Sequence, residues 1–110
     1  MGACMISPES WRSAGSMLDI AGHAQFHRID GAGPPLLLIH GFPTASWDWH
    51  ALWPALCEQH RCIAIDLLGF GWSAKPRRDV YRVVQQAERI EAVLAHHGIG
   101  RCAILAHDLG

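Results

Sequence analysis

Three short apolar runs constrain this chain more than any other feature of its sequence: residues 36–39 (LLLI), 62–65 (CIAI) and 103–106 (AILA). Each is continuous rather than alternating, the pattern of a strand buried on both faces of a sheet. Helical patterns separate them. Trp49, Leu52, Trp53 and Leu56 fall at i, i+3, i+4 and i+7, with Thr44 or Ser46 as a cap. Pro54 should kink or restart that helix. Asp79 can cap a longer helix with Val80, Val83, Val84, Ala87, Ile90 and Leu94 along one face, stopped by Gly98. Apolar strands alternating with amphipathic helices mean right-handed βαβ units: an α/β fold whose mostly parallel sheet has helices on both faces. Ahead of it, residues 17–20 and 23–29 read as two strands joined at Gly22, an N-terminal hairpin. Residues 1–15 are a mixed polar lead, expected to be flexible and frayed. The folded unit is therefore expected over 16–110.

Composition narrows the function. Half the chain is hydrophobic and 17% is charged, which suits a globular core. Nine basic against ten acidic side chains leave a net charge of −1, so no field of one sign draws the chain to nucleic acid or an anionic membrane. The apolar stretches are too short for a membrane span, and the first residues lack the pattern of a signal peptide. A cytoplasmic protein is the expectation. Cys4, Cys57, Cys62 and Cys102 show no C-x-x-C spacing and read as reduced thiols. Cys57, His60 and Cys62 are near enough in sequence to suggest a metal, but they straddle a helix end and a strand start, and no second pair follows. Neither a metal nor a cofactor is expected. Lys75, Arg77 and Arg78 read as solvated surface, and Trp47, Trp49 and Trp53 as core.

Two loops follow buried strands, and in such sheets sites lie beyond the carboxyl ends of the strands. The first is His40-Gly41-Phe42-Pro43-Thr44, where glycine lets the backbone turn sharply and the next amide point into a cleft. The second is Ala106-His107-Asp108-Leu109-Gly110, spaced small-x-nucleophile-x-small, as a strained strand-to-helix turn requires. Alone, Asp108 reads more readily as a helix cap at a strand end than as a nucleophile. The ordered pair of loops favours chemistry.

The segments HGFPTASWDW (40–49), IDLLGFGWSAKP (65–76) and ILAHDLG (104–110) together resemble the N-terminal half of an α/β-hydrolase. The third carries Asp where esterases and lipases carry Ser. That resembles the aspartate-nucleophile branch of epoxide hydrolases and haloalkane dehalogenases, and within it most closely the mesoderm-specific transcript proteins and their bacterial relatives. The resemblance implies that Asp108 attacks a small organic substrate and forms an ester, which a histidine-activated water then hydrolyses. It implies an oxyanion hole from the backbone N–H groups of Phe42 and Leu109. His40, Gly41, Pro43 and Gly110 would shape the two loops.

Where dehalogenases carry halide-binding Asn and Trp, this chain has Phe42 and Leu109, so dehalogenation is the less expected activity. In this family the base histidine, its acid partner and the lid lie beyond the nucleophile. The 110 residues alone are therefore expected to show no turnover, and the third strand to present an open apolar edge. The alternatives are a non-catalytic remnant or binding module, and a hydrolase in which Asp108 acts only electrostatically. No oligomeric state is encoded.

Overall fold

The computed structural model describes residues 7–41, 44–76 and 83–107. Five strands form one mixed sheet: β1 (Ser16–Ile20), β2 (His23–Asp30), β3 (Pro35–Ile39), β4 (Arg61–Ile65) and β5 (Ala103–Ala106), in the order β1-β2-β4-β3-β5. β3 runs parallel to both β4 and β5. The expected hairpin is present and joins this parallel core through an antiparallel β2–β4 pair. Its two-residue turn has positive φ at both Ala21 (52°) and Gly22 (85°), the twist that tight hairpins favour. The Asp19 carboxylate accepts the Gly22 N–H there.

Side chains alternate across the strands and build two cores. Leu36, Leu38, Cys62 and Ala64 face Trp11, Trp49 and Trp53 on one side. Leu37, Ile63 and Ile65 face Ile90, Val93 and Ile99 on the other. The first side is covered by α1 (Pro8–Ser13), a 3₁₀ turn over Ser46–Trp49, and α2 (Trp53–Cys57); the second by α3 (Val83–His96). Pro54 lies in the first turn of α2, so the pattern after Ser46 is indeed broken and restarted.

Three local expectations are corrected. The lead is not frayed over residues 7–15. Ser7 caps α1 by accepting the Ser10 N–H, and Trp11 is wholly buried. One large ring inserted between β2 and α2 outweighs a polar composition. In α3 the expected stripe holds at Ile90 and Leu94, but Val83, Val84 and Ala87 are exposed, and Arg89 and Val93 are buried instead. The cause is polar: Gln86 exchanges two hydrogen bonds with the Leu68 backbone, and Arg89 reaches the hairpin. The Asp79 cap lies outside the described residues. Finally, β5 is not buried on both faces as its continuous run suggests, but is the open apolar edge that was also expected. All four of its residues are exposed, with Ile104 at 61%, because β3 is its sole neighbour among the described residues.

The end of α3 meets β2 through two histidines. Nε2 of His27 and Nε2 of His97 are 2.9 Å apart, so one must donate and the other accept. Protonating both rings would set two N–H groups head to head. Burial, then the neighbouring His97, holds His27 below its ordinary pKa; burial, then His96 and Arg61, does the same for His97. The unfolded chain therefore binds protons more readily than the folded one. Stability contributed by the pair is full above about pH 6.5 and is lost as pH falls from there through the lower folded-state values. Urea midpoints compared at pH 8 and pH 5.5 should show this loss, and His97→Gln should flatten it. Equal slopes in the two proteins would contradict the assignment.

Candidate active site

Parallel registry brings three loops out of the sheet at one level. Ile39 is paired with Ile65 on one side and with Ala106 on the other. The residues that follow, His40, Asp66 and His107, therefore start their loops side by side. The His107 N–H continues the ladder by donating to the Ile39 carbonyl at 3.2 Å. Asp108, Leu109 and Gly110 follow immediately; these three, with Phe42 and Pro43, lie outside the described residues.

His40 is 1% exposed. Its Nε2 accepts the Leu67 N–H at 3.0 Å, since a backbone amide can only donate. Nδ1 must then carry the proton, which it donates to the Gly41 carbonyl at 2.7 Å. Both ring nitrogens are engaged, and the ring edge packs on Phe70 with centroids 5.5 Å apart. A histidine held in this way has no lone pair to offer a substrate; what it does is tie the first loop to the second. The Gly41 carbonyl also accepts the Thr44 N–H.

Asp66 is the group that sequence reasoning quoted but gave no role. Its side chain is wholly buried at the end of β4. One carboxylate oxygen accepts the Ser46 N–H and the other the Trp72 N–H, both at 2.7 Å. Its backbone carbonyl accepts from Ser73 Oγ (2.6 Å) and Gln25 Nε2 (3.2 Å). Gly71, at φ +54°, passes so close that a Cβ there would lie 2.2 Å from Oδ2. The signal that could have found Asp66 is an acid directly after an apolar run, followed by glycines that let a backbone approach it.

Trp11 extends this network. Its Nε1 donates to Ser46 Oγ at 3.0 Å, so α1 holds the far end of the first loop. Lys75 lies exposed at the surface, as expected, and its ammonium donates to the carbonyls of Gly71 and Ser73. Burial, then Cys62, pushes the Cys57 thiol up to about 12, which keeps it protonated near neutral pH. Among the described residues, no group of three or more His, Cys, Asp or Glu is arranged to hold a metal ion, and no helix is long and apolar enough to cross a membrane.

The comparisons with known proteins agree with this architecture. Residues 34–110 match the model of the alpha/beta hydrolase fold family. The human mesoderm-specific transcript homolog protein is 41% identical over 108 residues, covering 92% of this chain and 32% of its own length. Among solved structures, a loop variant of the haloalkane dehalogenase DbeA from Bradyrhizobium elkanii is 32% identical. It superposes with a TM-score of 0.78 over 86% of this chain and 32% of its own. A variant of a Pseudomonas aeruginosa protein, provisionally described as an epoxide hydrolase, is 30% identical. Its TM-score is 0.80, again over 86% of this chain and 32% of its own. The chain thus spans about a third of the length of these relatives. With its sheet order, its strand-end loops and a family match over most of its length, this chain belongs to the α/β-hydrolase fold family.

Proposed function

We propose that these residues form the nucleophile-bearing N-terminal part of a hydrolase that works through a covalent ester on Asp108. The observation that carries the reading is the β3–β5 registry: Ile39 opposite Ala106 starts the segments of His40 and of His107, the neighbour of Asp108 in sequence, from adjacent strands at one level. Nucleophile and oxyanion donors must meet within one cleft, and adjacent strand ends supply that proximity.

A serine must lose a proton as it attacks, whereas a carboxylate with an ordinary pKa is already anionic at neutral pH. It suits displacement at a saturated carbon, and the substrate we propose is a small epoxide-like or ester-like molecule. With an epoxide, an Asp108 oxygen forms a bond to carbon while the ring C–O bond breaks, and the alkoxide released takes up a proton. Water, deprotonated by a base, then adds to the ester carbonyl. The acyl C–O bond breaks, the diol leaves, and Asp108 returns as carboxylate. Phe42 and Leu109 N–H groups would hold the oxyanion of this second step, with His40, Gly41, Pro43 and Gly110 shaping the loops. Dehalogenation fits less well, because neither Phe42 nor Leu109 offers a side-chain donor to a halide.

A small-molecule substrate, a cytoplasmic location and no nucleic-acid or membrane partner complete the reading, in keeping with the net charge of −1. Intact-mass analysis of the full gene product, quenched during reaction with an epoxide, should find the adduct on the peptide containing Asp108. Asp108→Asn should abolish both adduct and turnover. Turnover surviving in that variant would reject the nucleophile, and unaltered ligand binding without any turnover in the parent would favour a binding module.

A further inference from the structure

The Asp66 carboxylate is a bridge between two loops rather than a cap within one. Ser46 belongs to the segment after β3, Trp72 to the segment after β4, and each presents one backbone N–H to a different oxygen of the same buried group. A carboxylate is suited to this position because both of its oxygens accept. An amide there would turn an NH2 against one of the two N–H donors. The close pass of Gly71 keeps Oδ2 in place from the other side. The first loop is held at its start by His40 through Leu67, and at its end by Asp66 through Ser46. Both anchors sit at the β4 exit.

We propose that Asp66 is a positioning residue of the candidate active site: its carboxylate fixes the end of the first loop against the second, and thereby sets where that loop's amide donor stands during ester hydrolysis. The inference rests on the covalent-ester reading above. Asp66 touches no reacting atom. Its influence belongs to the second chemical step, because the oxyanion forms there and not during attack on carbon. Displacing a reacting group by about 1 Å costs on the order of 100-fold in rate.

The test separates the two steps in the full gene product. In Asp66→Asn, single-turnover quenching should show ester formation within about twofold of the parent and ester hydrolysis slowed by roughly 10–100-fold, so that the adduct accumulates. His97→Gln removes the contact with His27 away from this bridge, and should leave the ratio of the two rates unchanged. Amide exchange provides a readout independent of activity: the Ser46 and Trp72 N–H groups should lose protection in Asp66→Asn. If that variant does not fold, Gly71→Ala, which keeps the charge but crowds Oδ2, should shift the same ratio in the same direction. Unchanged amide protection, or both rates falling in parallel, would overturn the proposal. A parent protein that forms no ester on Asp108 would instead reject the hydrolase reading, with exchange still deciding whether Asp66 holds the loop.

Discussion

Trp11→Ala is expected to lower the stability of the folded chain by about 3–5 kcal/mol, the cost of emptying a fully buried aromatic site that cannot collapse. The ring packs edge-on against Trp53 with centroids 4.9 Å apart, and the Arg28 guanidinium lies 4.5 Å from its centroid. Arg28 is fixed in turn by the Asp30 carboxylate, which also accepts from Trp53 Nε1. Removing Trp11 therefore opens the first core and releases Ser46 Oγ together. Trp11→Phe keeps most of the volume and loses the hydrogen bond, so about 1–2 kcal/mol is expected from the stranded hydroxyl. Urea unfolding of the three proteins checks the order. A Trp11→Ala midpoint equal to that of the parent would mean that α1 is dispensable.

Arg89→Ala should cost about 3 kcal/mol or more, through loss of polar contacts rather than of volume. The guanidinium donates from Nε to Gln25 Oε1 at 2.7 Å, and from its two terminal nitrogens to the carbonyls of Ile20 and His23 at 2.8 Å. Those carbonyls flank the hairpin turn, so one side chain of α3 pins β1 and β2 together. Burial lowers the Arg89 pKa by taking the guanidinium out of water, and the nearby Asp19 opposes that shift. Truncation leaves three acceptors without this donor. Arg89→Lys should recover only part of the loss, because one ammonium cannot reproduce a planar fork aimed at three oxygens. Unfolding free energies settle the matter: a change below about 0.5 kcal/mol for Arg89→Ala would place the site among neutral surface positions.

These two residues mark where the sequence stops being readable. The strands at 36–39 and 62–65 were legible because a continuous apolar run between turn residues has few other uses, and the hairpin because Gly22 interrupts two short runs. Trp11 stands alone in a six-residue helix, where a single apolar residue gives no period. Arg89 lies on a helix whose obvious stripe was Val83, Val84 and Ala87. No pattern of hydrophobicity announces that three acceptors wait at the hairpin end. The 103–106 run was legible as a strand, but its exposure depends on which neighbours are present, not on its own residues.

The candidate site divides in the same way. His40 stood out by motif spacing, and Asp108 is proposed on the same ground, since glycine and small residues are required at fixed offsets by a tight turn. Asp66 could not be ranked above the other acids, because its importance lies in two backbone donors that come together only after β3 and β4 pair. Residues inside a tight-turn motif leave a signature in its spacing. A carboxylate whose two donors come from separate loops leaves one only in three dimensions.

One turnover of the full gene product with an epoxide in heavy-oxygen water, followed by mass analysis of the Asp108 peptide and the diol, decides whether Asp108 is the nucleophile. One solvent oxygen is expected in the Asp108 carboxylate and none in the first diol released. Label confined to the diol, with Asp108 unlabelled, would mean that water attacks the substrate directly and that Asp108 is not the nucleophile.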